Sequence, residues 1–412
     1  MPTDDSQPTY YRASLGLMKE VSGALAADYH SALITHMRAN GGVFDYPAAG
    51  LSFQLAKEFG FCYGVDKAVD MAYEARVKFP GKRIFLLTEI IHNPRVNKRL
   101  VDMGIVFLSG QYATGLTEDA ITAEDVVLIP AFGTSSETLA RLRAKGCILI
   151  DTTCGSVVRV WKRVERYAAD GFTSVVHGKY DHEETIATVS QARAQGGHFL
   201  VVRDRAEAER VVSFIEGSMP AGELLAGFHP GACSAGFDPA RHLQRIGVAN
   251  QTTMLASESL EIARVIGAAL ERRYGREHAD EHFRSFDTIC SATQDRQDAI
   301  QAMIAGTPPD LILVIGGYNS SNTGHLLEVA MSRCPAYHIQ DAGEMLDTAR
   351  IRHLPQGAKA PVETRDWLPG GELRIGLTAG ASTPNRAIAD SILRVLELRG
   401  VNAADAMEAI ES

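Results

Sequence analysis

Short apolar runs, each followed by a stretch with helical spacing, recur along this 412-residue chain and leave few folds open to it. The runs are RIFLLT (83–88), VVLIPAF (126–132), CILIDTTC (147–154), TSVVHG (173–178), FLVV (199–202), RIGVANQTT (245–253), LILVIGG (311–317), AYHIQ (336–340) and LRIGLTAG (373–380). Amphipathic segments lie between them; Val65, Ala68, Val69, Ala72 and Ala75, for example, repeat at the spacing of one helix face. Parallel strands need a crossover, and a helix is the usual one, so strands alternating with helices imply parallel sheets. At this length more than one sheet is expected, and the fold class is α/β.

Residues 1–46 read as an extension, partly helical around LMKEVSGALAADYHSALITHMR, and the Pro/Gly-rich stretch LPQGAKAPVETRDWLPGGE (354–372) as a surface loop before a last strand. The opening MPTDDSQPTYYRASLG has no basic segment followed by an apolar one, so no secretory signal is expected. Apolar runs such as VVLIPAF are far too short to span a membrane. A net charge of −9 gives no general attraction to nucleic acid or to an anionic membrane, so an anionic ligand must be held by a local site. A cytoplasmic protein is expected.

Six cysteines (62, 147, 154, 233, 290 and 334) are too few for a chain of this length to be a disulfide-stapled scaffold, and none form a CxxC pair. Cys62 sits in Gly60-Phe-Cys-Tyr-Gly64, at a turn leading into a helix, where a thiolate is favoured. Cys154 and Cys290 lie at comparable strand-to-helix turns, within the echoing tetrads Asp151-Thr-Thr-Cys154 and Asp287-Thr-Ile-Cys290. A buried structural thiol is the alternative reading for each, and three in one kind of setting is the stronger signal. Cys147, Cys233 and Cys334 read as packing or loop positions.

Polar groups cluster where strands end, which is where open α/β sheets collect ligands. Glu89-Ile-Ile-His92-Asn93, Asn319-Ser-Ser-Asn322 and Thr378-Ala-Gly-Ala-Ser382 each follow a strand. Such turns offer backbone N–H groups and hydroxyls to an anion, or serve as ordinary helix caps. His177-Gly-Lys-Tyr-Asp-His182-Glu-Glu184 is dense in titratable groups. It reads either as a pocket whose carboxyl is held protonated, and so able to donate a proton, or as a solvated loop with the first turn of a helix. Gln251-Thr252-Thr253 is a hydroxyl relay or a cap.

Taken together and in order, GFCYGVDKAV, EIIHNPRVNKRL, DTTCGSVVRVW, HGKYDHEETIAT, VANQTTML, DTICSATQDRQ, GGYNSSNTGHLLE and GLTAGAS resemble the LytB family of 4-hydroxy-3-methylbut-2-enyl diphosphate reductases, from about Gly60 to Ser382. The length and the HGKYDHEET stretch resemble the longer plant and cyanobacterial branch. The resemblance implies three similar α/β units with mostly parallel sheets around a central [4Fe–4S] cluster. In this chain the units would be 47–154, 155–288 and 289–412, after the extension of residues 1–46. Cys62, Cys154 and Cys290 would be the cluster ligands, and Glu184 the proton donor with Thr252 beside it. His92, His182, Ser320, Ser321, Asn322 and Ser382 would hold the diphosphate.

The implied reaction is a two-electron reductive dehydroxylation giving isopentenyl and dimethylallyl diphosphate, the last step of the methylerythritol phosphate route. Its implied partners are the allylic diphosphate and an external electron donor, ferredoxin or flavodoxin; dimer contacts through residues 1–46 are one role for the extension. Two positions depart from the family pattern: Phe132 stands where short members carry a histidine, as it does in the longer branch, and Gly155 replaces a proline common after the second ligand. Three readings compete with the reductase. An aconitase-like hydro-lyase would turn over without a reductant, an electron carrier would not bind the diphosphate, and a metal-free phosphate-binding protein would contain no iron or sulfide.

Overall fold

The computed structural model describes residues 10–411 and contains three sheets that carry helices, plus one small hairpin. The first sheet has the strand order Tyr10–Tyr11, Ile148–Asp151, Val126–Ile129, Ile84–Leu86 and Ile105–Phe107, all parallel. The second runs Phe283–Ser285, Ile246–Asn250, Thr173–His177 and Phe199–Val202, again parallel. The third runs Ala336–Ile339, Leu311–Ile315, Leu373–Ala379, Leu51–Leu55 and Val43–Tyr46, with only the last pair antiparallel. Their central strands are buried on both faces, as the unbroken apolar runs VVLI and LILVI require. Each sheet has its own core, around Leu86, Leu128 and Ile150 in the first, Val175 and Val248 in the second, and Phe53, Leu313 and Leu377 in the third.

Every apolar run read as a strand contains one. Local signals fix the helix ends as well. Ser135 caps the helix Ser136–Lys145 by accepting from the Thr138 N–H at 3.1 Å, and Gly146 at φ 72° closes it.

The unit boundaries differ from expectation. Leu51–Leu55 pairs in register with Leu373–Leu377, so residues 51–55 belong to the third sheet and not to a first unit beginning at 47. The described part of the extension is built in. Tyr10–Tyr11 adds a strand beside Leu149–Ile150, and Val43–Tyr46 edges the third sheet. The expected helical stretch is two helices, Met18–Tyr29 and Ala32–Ala39, broken where Ser31 caps the second. The carboxylate of Glu74, 1% exposed, accepts from the Ser14 hydroxyl at 2.8 Å and from the N–H groups of Leu15 and Leu17 at 2.7 and 2.9 Å. A buried carboxylate with these donors ties the segment down, because losing them would leave an unsolvated charge. Residues 1–9 lie outside the described residues. The expected loop at 354–372 contains the strand Val362–Arg365, which forms a hairpin with Arg350–His353. Among the described residues no helix is long and apolar enough to cross a membrane.

Candidate active site

Cys62, Cys154 and Cys290 each occupy the N-cap of a helix: Tyr63–Lys78, Gly155–Ala169 and Ser291–Ala305. The equivalence extends to register. Their backbone N–H groups donate to Ala381, Ala131 and Thr252 carbonyls at 3.1, 2.9 and 3.4 Å. Each acceptor lies two residues past the end of the adjacent strand, which stops at Ala379, Ile129 or Asn250. The tetrad echo is likewise a repeated turn. Asp151 and Asp287 each accept from the N–H two positions on, at 3.0 Å, and the Thr152 and Thr288 hydroxyls donate to Ile129 and Asn250 carbonyls at 2.7 and 3.2 Å.

The three thiols open on one cavity, lined also by His92, Phe132, His182, Glu184, Thr252, Ser320, Ser321, Asn322 and Ser382. All eleven residues expected in the site therefore come together, and Cys147, Cys233 and Cys334 stay outside it. Gly64 is required here: a Cβ on it would lie 2.5 Å from the Cys154 sulfur. Burial pushes the Cys62 thiol up and the Cys290 thiol up to about 11, so thiolates in this place need a positive partner. Among the described residues, the one trio of His, Cys, Asp or Glu donors lying within 4.8 Å of one another is His92, His182 and Glu183. At least one pair of the three sulfurs therefore lies more than 4.8 Å apart, wider than the ~3.8 Å that tetrahedral thiolates take around a single zinc.

Glu184 opens the helix Glu183–Ala194 and is buried. Its carboxyl accepts from the Thr252 N–H at 2.6 Å and the Thr252 hydroxyl at 2.9 Å. Burial outweighs these two donors and raises its pKa to about 7, which keeps a proton available near neutrality.

The histidines form a directed chain. His182 Nδ1 accepts from the Glu184 N–H at 3.1 Å, so the proton of its neutral ring sits on Nε2. That nitrogen lies 3.2 Å from His92 Nε2, and His92 Nδ1 lies 3.2 Å from the Glu89 carboxylate. Burial, with His92 and Lys179 nearby, holds His182 well below the usual imidazole range. His92 and His182 are thus joined by a hydrogen bond between ring nitrogens, and the Glu183 carboxylate lies 3.9 and 4.0 Å from them.

The family described as LytB protein matches residues 53–396. The chain belongs to the LytB family.

A protein of Gloeobacter violaceus named 4-hydroxy-3-methylbut-2-enyl diphosphate reductase is 46% identical over 408 residues, covering 98% of this chain and 96% of that one. Proteins of the same name from Thermosynechococcus vestitus and from Synechococcus sp. (strain RCC307) are 42% and 46% identical, covering 96% and 94% of this chain and 96% and 94% of their own lengths. A solved structure described as (E)-4-hydroxy-3-methyl-but-2-enyl diphosphate reductase, the terminal enzyme of the non-mevalonate pathway, superposes with a TM-score of 0.51 at 26% identity, over 84% of this chain and 99% of that one. The reductase structure from Plasmodium falciparum, at 20% identity and a TM-score of 0.59 over 87% of this chain and 98% of that one, shares the fold.

Within this LytB-family chain, Phe132 stacks on His92 with centroids 4.2 Å apart and meets His182 edge-on at 6.0 Å. It supplies packing where a histidine would supply a donor. Gly155 leaves Cys154 in an extended N-cap conformation, φ −61° and ψ 139°. Sequence reasoning missed three supporting groups. Asn319 donates to Glu89 at 2.7 Å, and Gln251 donates to Thr253 at 2.8 Å while accepting from Thr185 at 3.1 Å. The third is Arg296, 4% exposed on the Cys290 helix. All three sit inside motifs already quoted, Arg296 in DTICSATQDRQ, but nothing in the sequence marks a charged residue on a helix as buried.

Proposed function

We propose that the chain reduces 4-hydroxy-3-methylbut-2-enyl diphosphate to isopentenyl and dimethylallyl diphosphate, with Cys62, Cys154 and Cys290 holding a [4Fe–4S] cluster and Glu184 donating a proton. The observation that carries this reading is the convergence of three register-equivalent N-cap thiols on the cavity that holds the Glu184 carboxyl. The donor set fits such a cluster: thiols from three helices, spaced too widely for one ion, with no fourth cysteine lining the cavity among the described residues. Bound there, the cluster supplies the electrons and one iron free of protein ligands, a Lewis acid for the substrate's allylic oxygen.

The protein's own groups do the rest. Two electrons and two protons are consumed; the allylic C–O bond breaks, water leaves, and a C–H bond forms at one end of the allyl unit or the other. Hydroxide is a poor leaving group, and the Glu184 carboxyl, protonated up to about pH 7, delivers the proton that lets it depart as water. Thr252 fixes the orientation of that carboxyl through both oxygens and favours the carboxylate that remains.

The diphosphate end fits the polar side. Ser320 caps the helix Ser321–Met331, whose first N–H groups point outward as an anion site. Asn322 Nδ2 is buried without a partner and is a ready donor. The Ser382 hydroxyl donates to the His92 carbonyl at 3.1 Å, tying the last loop to the histidine pair. No lysine or arginine lines this cavity among the described residues, so helix dipole, hydroxyls and imidazoles neutralise the anion. Gripping the nonreacting end lets its binding energy orient the reacting end. Electrons come from an external carrier, a ferredoxin or flavodoxin.

The test is anaerobic purification with iron and sulfide analysis, followed by turnover with substrate and a reductant. Stoichiometric iron and sulfide with reductant-dependent formation of both products is expected. Absence of iron, or turnover without reductant, overturns the proposal.

A further inference from the structure

Arg296 is a buried cation without a carboxylate partner. Its Nη2 donates to the Gly60 carbonyl at 2.6 Å and the Phe61 carbonyl at 3.3 Å, and Nη1 donates to Ala292 at 2.7 Å. Its Nε is buried with no partner at all. The titratable groups that face it are the thiols of Cys62 and Cys290 and the carboxyls of Glu58, Asp295 and Asp66, none of which forms an ion pair with it. A guanidinium does not give up its proton in a protein, and burying one among neutral carbonyls is costly. Something negative must offset that cost.

The placement says what does. Arg296 sits six residues from Cys290 on the helix that this cysteine caps, and it grips the two carbonyls that immediately precede Cys62. Gly60 makes the grip available: at φ 72° it turns the chain ahead of Cys62 in a conformation that a side chain would strain. Arg296 therefore joins the first and third thiol loops and places a fixed positive charge behind both.

We propose that Arg296 is the cationic counterpart of the cluster, stabilising its more negative, reduced state and so setting the potential at which electrons enter. This rests on the cluster reading above. Each electron added makes the thiolate-bound group more negative by one charge, and an adjacent buried cation favours the reduced form more than the oxidised one. Arg296 acts through its field and by holding the Cys62 loop, without touching substrate.

The two roles separate in two variants. Arg296→Lys keeps the charge and loses the forked grip; Arg296→Gln keeps a donor for the carbonyls and loses the charge. Wild type and both variants are purified anaerobically, analysed for iron and sulfide, and titrated spectroscopically against mediators of known potential. We expect Arg296→Gln to lower the one-electron reduction constant about tenfold, ~59 mV, with Arg296→Lys close to wild type. Loss of the cluster from Arg296→Gln alone also supports a charge requirement. Equal shifts in both variants, no shift in either, or loss of the cluster from both assigns Arg296 a structural role and overturns the proposal. Wild type lacking iron and sulfide instead overturns the cluster reading, which the first analysis reveals separately.

Discussion

Thr252 reaches Glu184 through two donors at once, its N–H at 2.6 Å and its hydroxyl at 2.9 Å, one to each carboxyl oxygen. Both favour the carboxylate, yet burial prevails and the pKa stands near 7. Glu184 is thereby poised to change protonation state within the working range of the protein.

Replacing Glu184 with Gln removes the proton and keeps the shape. Iron content and substrate affinity should be unchanged, while turnover falls by about 100-fold or more, the range of general acid catalysis. Single-turnover rates measured beside iron analysis check this; near-normal turnover removes Glu184 from the proton path.

Turnover should decline as pH rises through about 7, because the donor is then increasingly deprotonated. The Thr252 hydroxyl favours the charged form, so Thr252→Val should move that decline to higher pH. The same shift has a stability consequence. Folded Glu184 holds its proton up to about 7, against an ordinary value of 4.5. Its contribution to stability is full below the lower value and is lost as pH rises through the upper one. A pH–rate profile of both proteins, with thermal midpoints across the same range, tests both points.

Gly64→Ala pits two effects against each other. Alanine favours a helix over glycine by about 1 kcal/mol, but its Cβ would lie 2.5 Å from the Cys154 sulfur, so the thiol must move. The expected outcome is a folded protein with unchanged far-ultraviolet circular dichroism and a lowered iron content. Full iron loading would show that the Cys154 loop yields freely.

His182→Asn keeps a capping acceptor at the start of the helix and removes the imidazole. A hydrogen bond to a charged group contributes ~1.5–3 kcal/mol, so the substrate Kd should rise about 10- to 100-fold with the cluster intact. Phe132→Ala removes only the ring stacked on His92, an aromatic contact of ~0.5–1.5 kcal/mol, and should weaken binding by no more than about tenfold. Calorimetric titration of the two variants with substrate orders the effects; equal losses would count against His182 as a direct ligand.

The strands and the site were legible in the sequence to different degrees. Buried central strands announce themselves as apolar runs, because both faces must be apolar. Edge strands such as Tyr10–Tyr11, Ile105–Phe107 and Val362–Arg365 are too short or too polar to do so. The expected division at residue 47 failed because nothing local in Leu51–Leu55 says that its partner is Leu373–Leu377. The motif positions carried the thiols and the polar residues into the site, since each lies at a strand end where glycine, serine and asparagine are visible. Arg296 and Glu74 stayed hidden for the opposite reason: a charged side chain on a helix looks solvated until its burial is seen.

The pairing of Leu51–Leu55 with Leu373–Leu377 also sets a timetable. On the ribosome, the supports for Cys154 and Cys290, at Ala131 and Thr252, emerge before their cysteines. The support for Cys62, at Ala381, emerges more than three hundred residues after it. Until then Cys62 can pack against the first core and cap its helix, but its backbone N–H lacks its acceptor. Under the proposed cluster reading, the three-thiol pocket is therefore complete only once residue 381 has been made, with Cys62 the last position to gain its support.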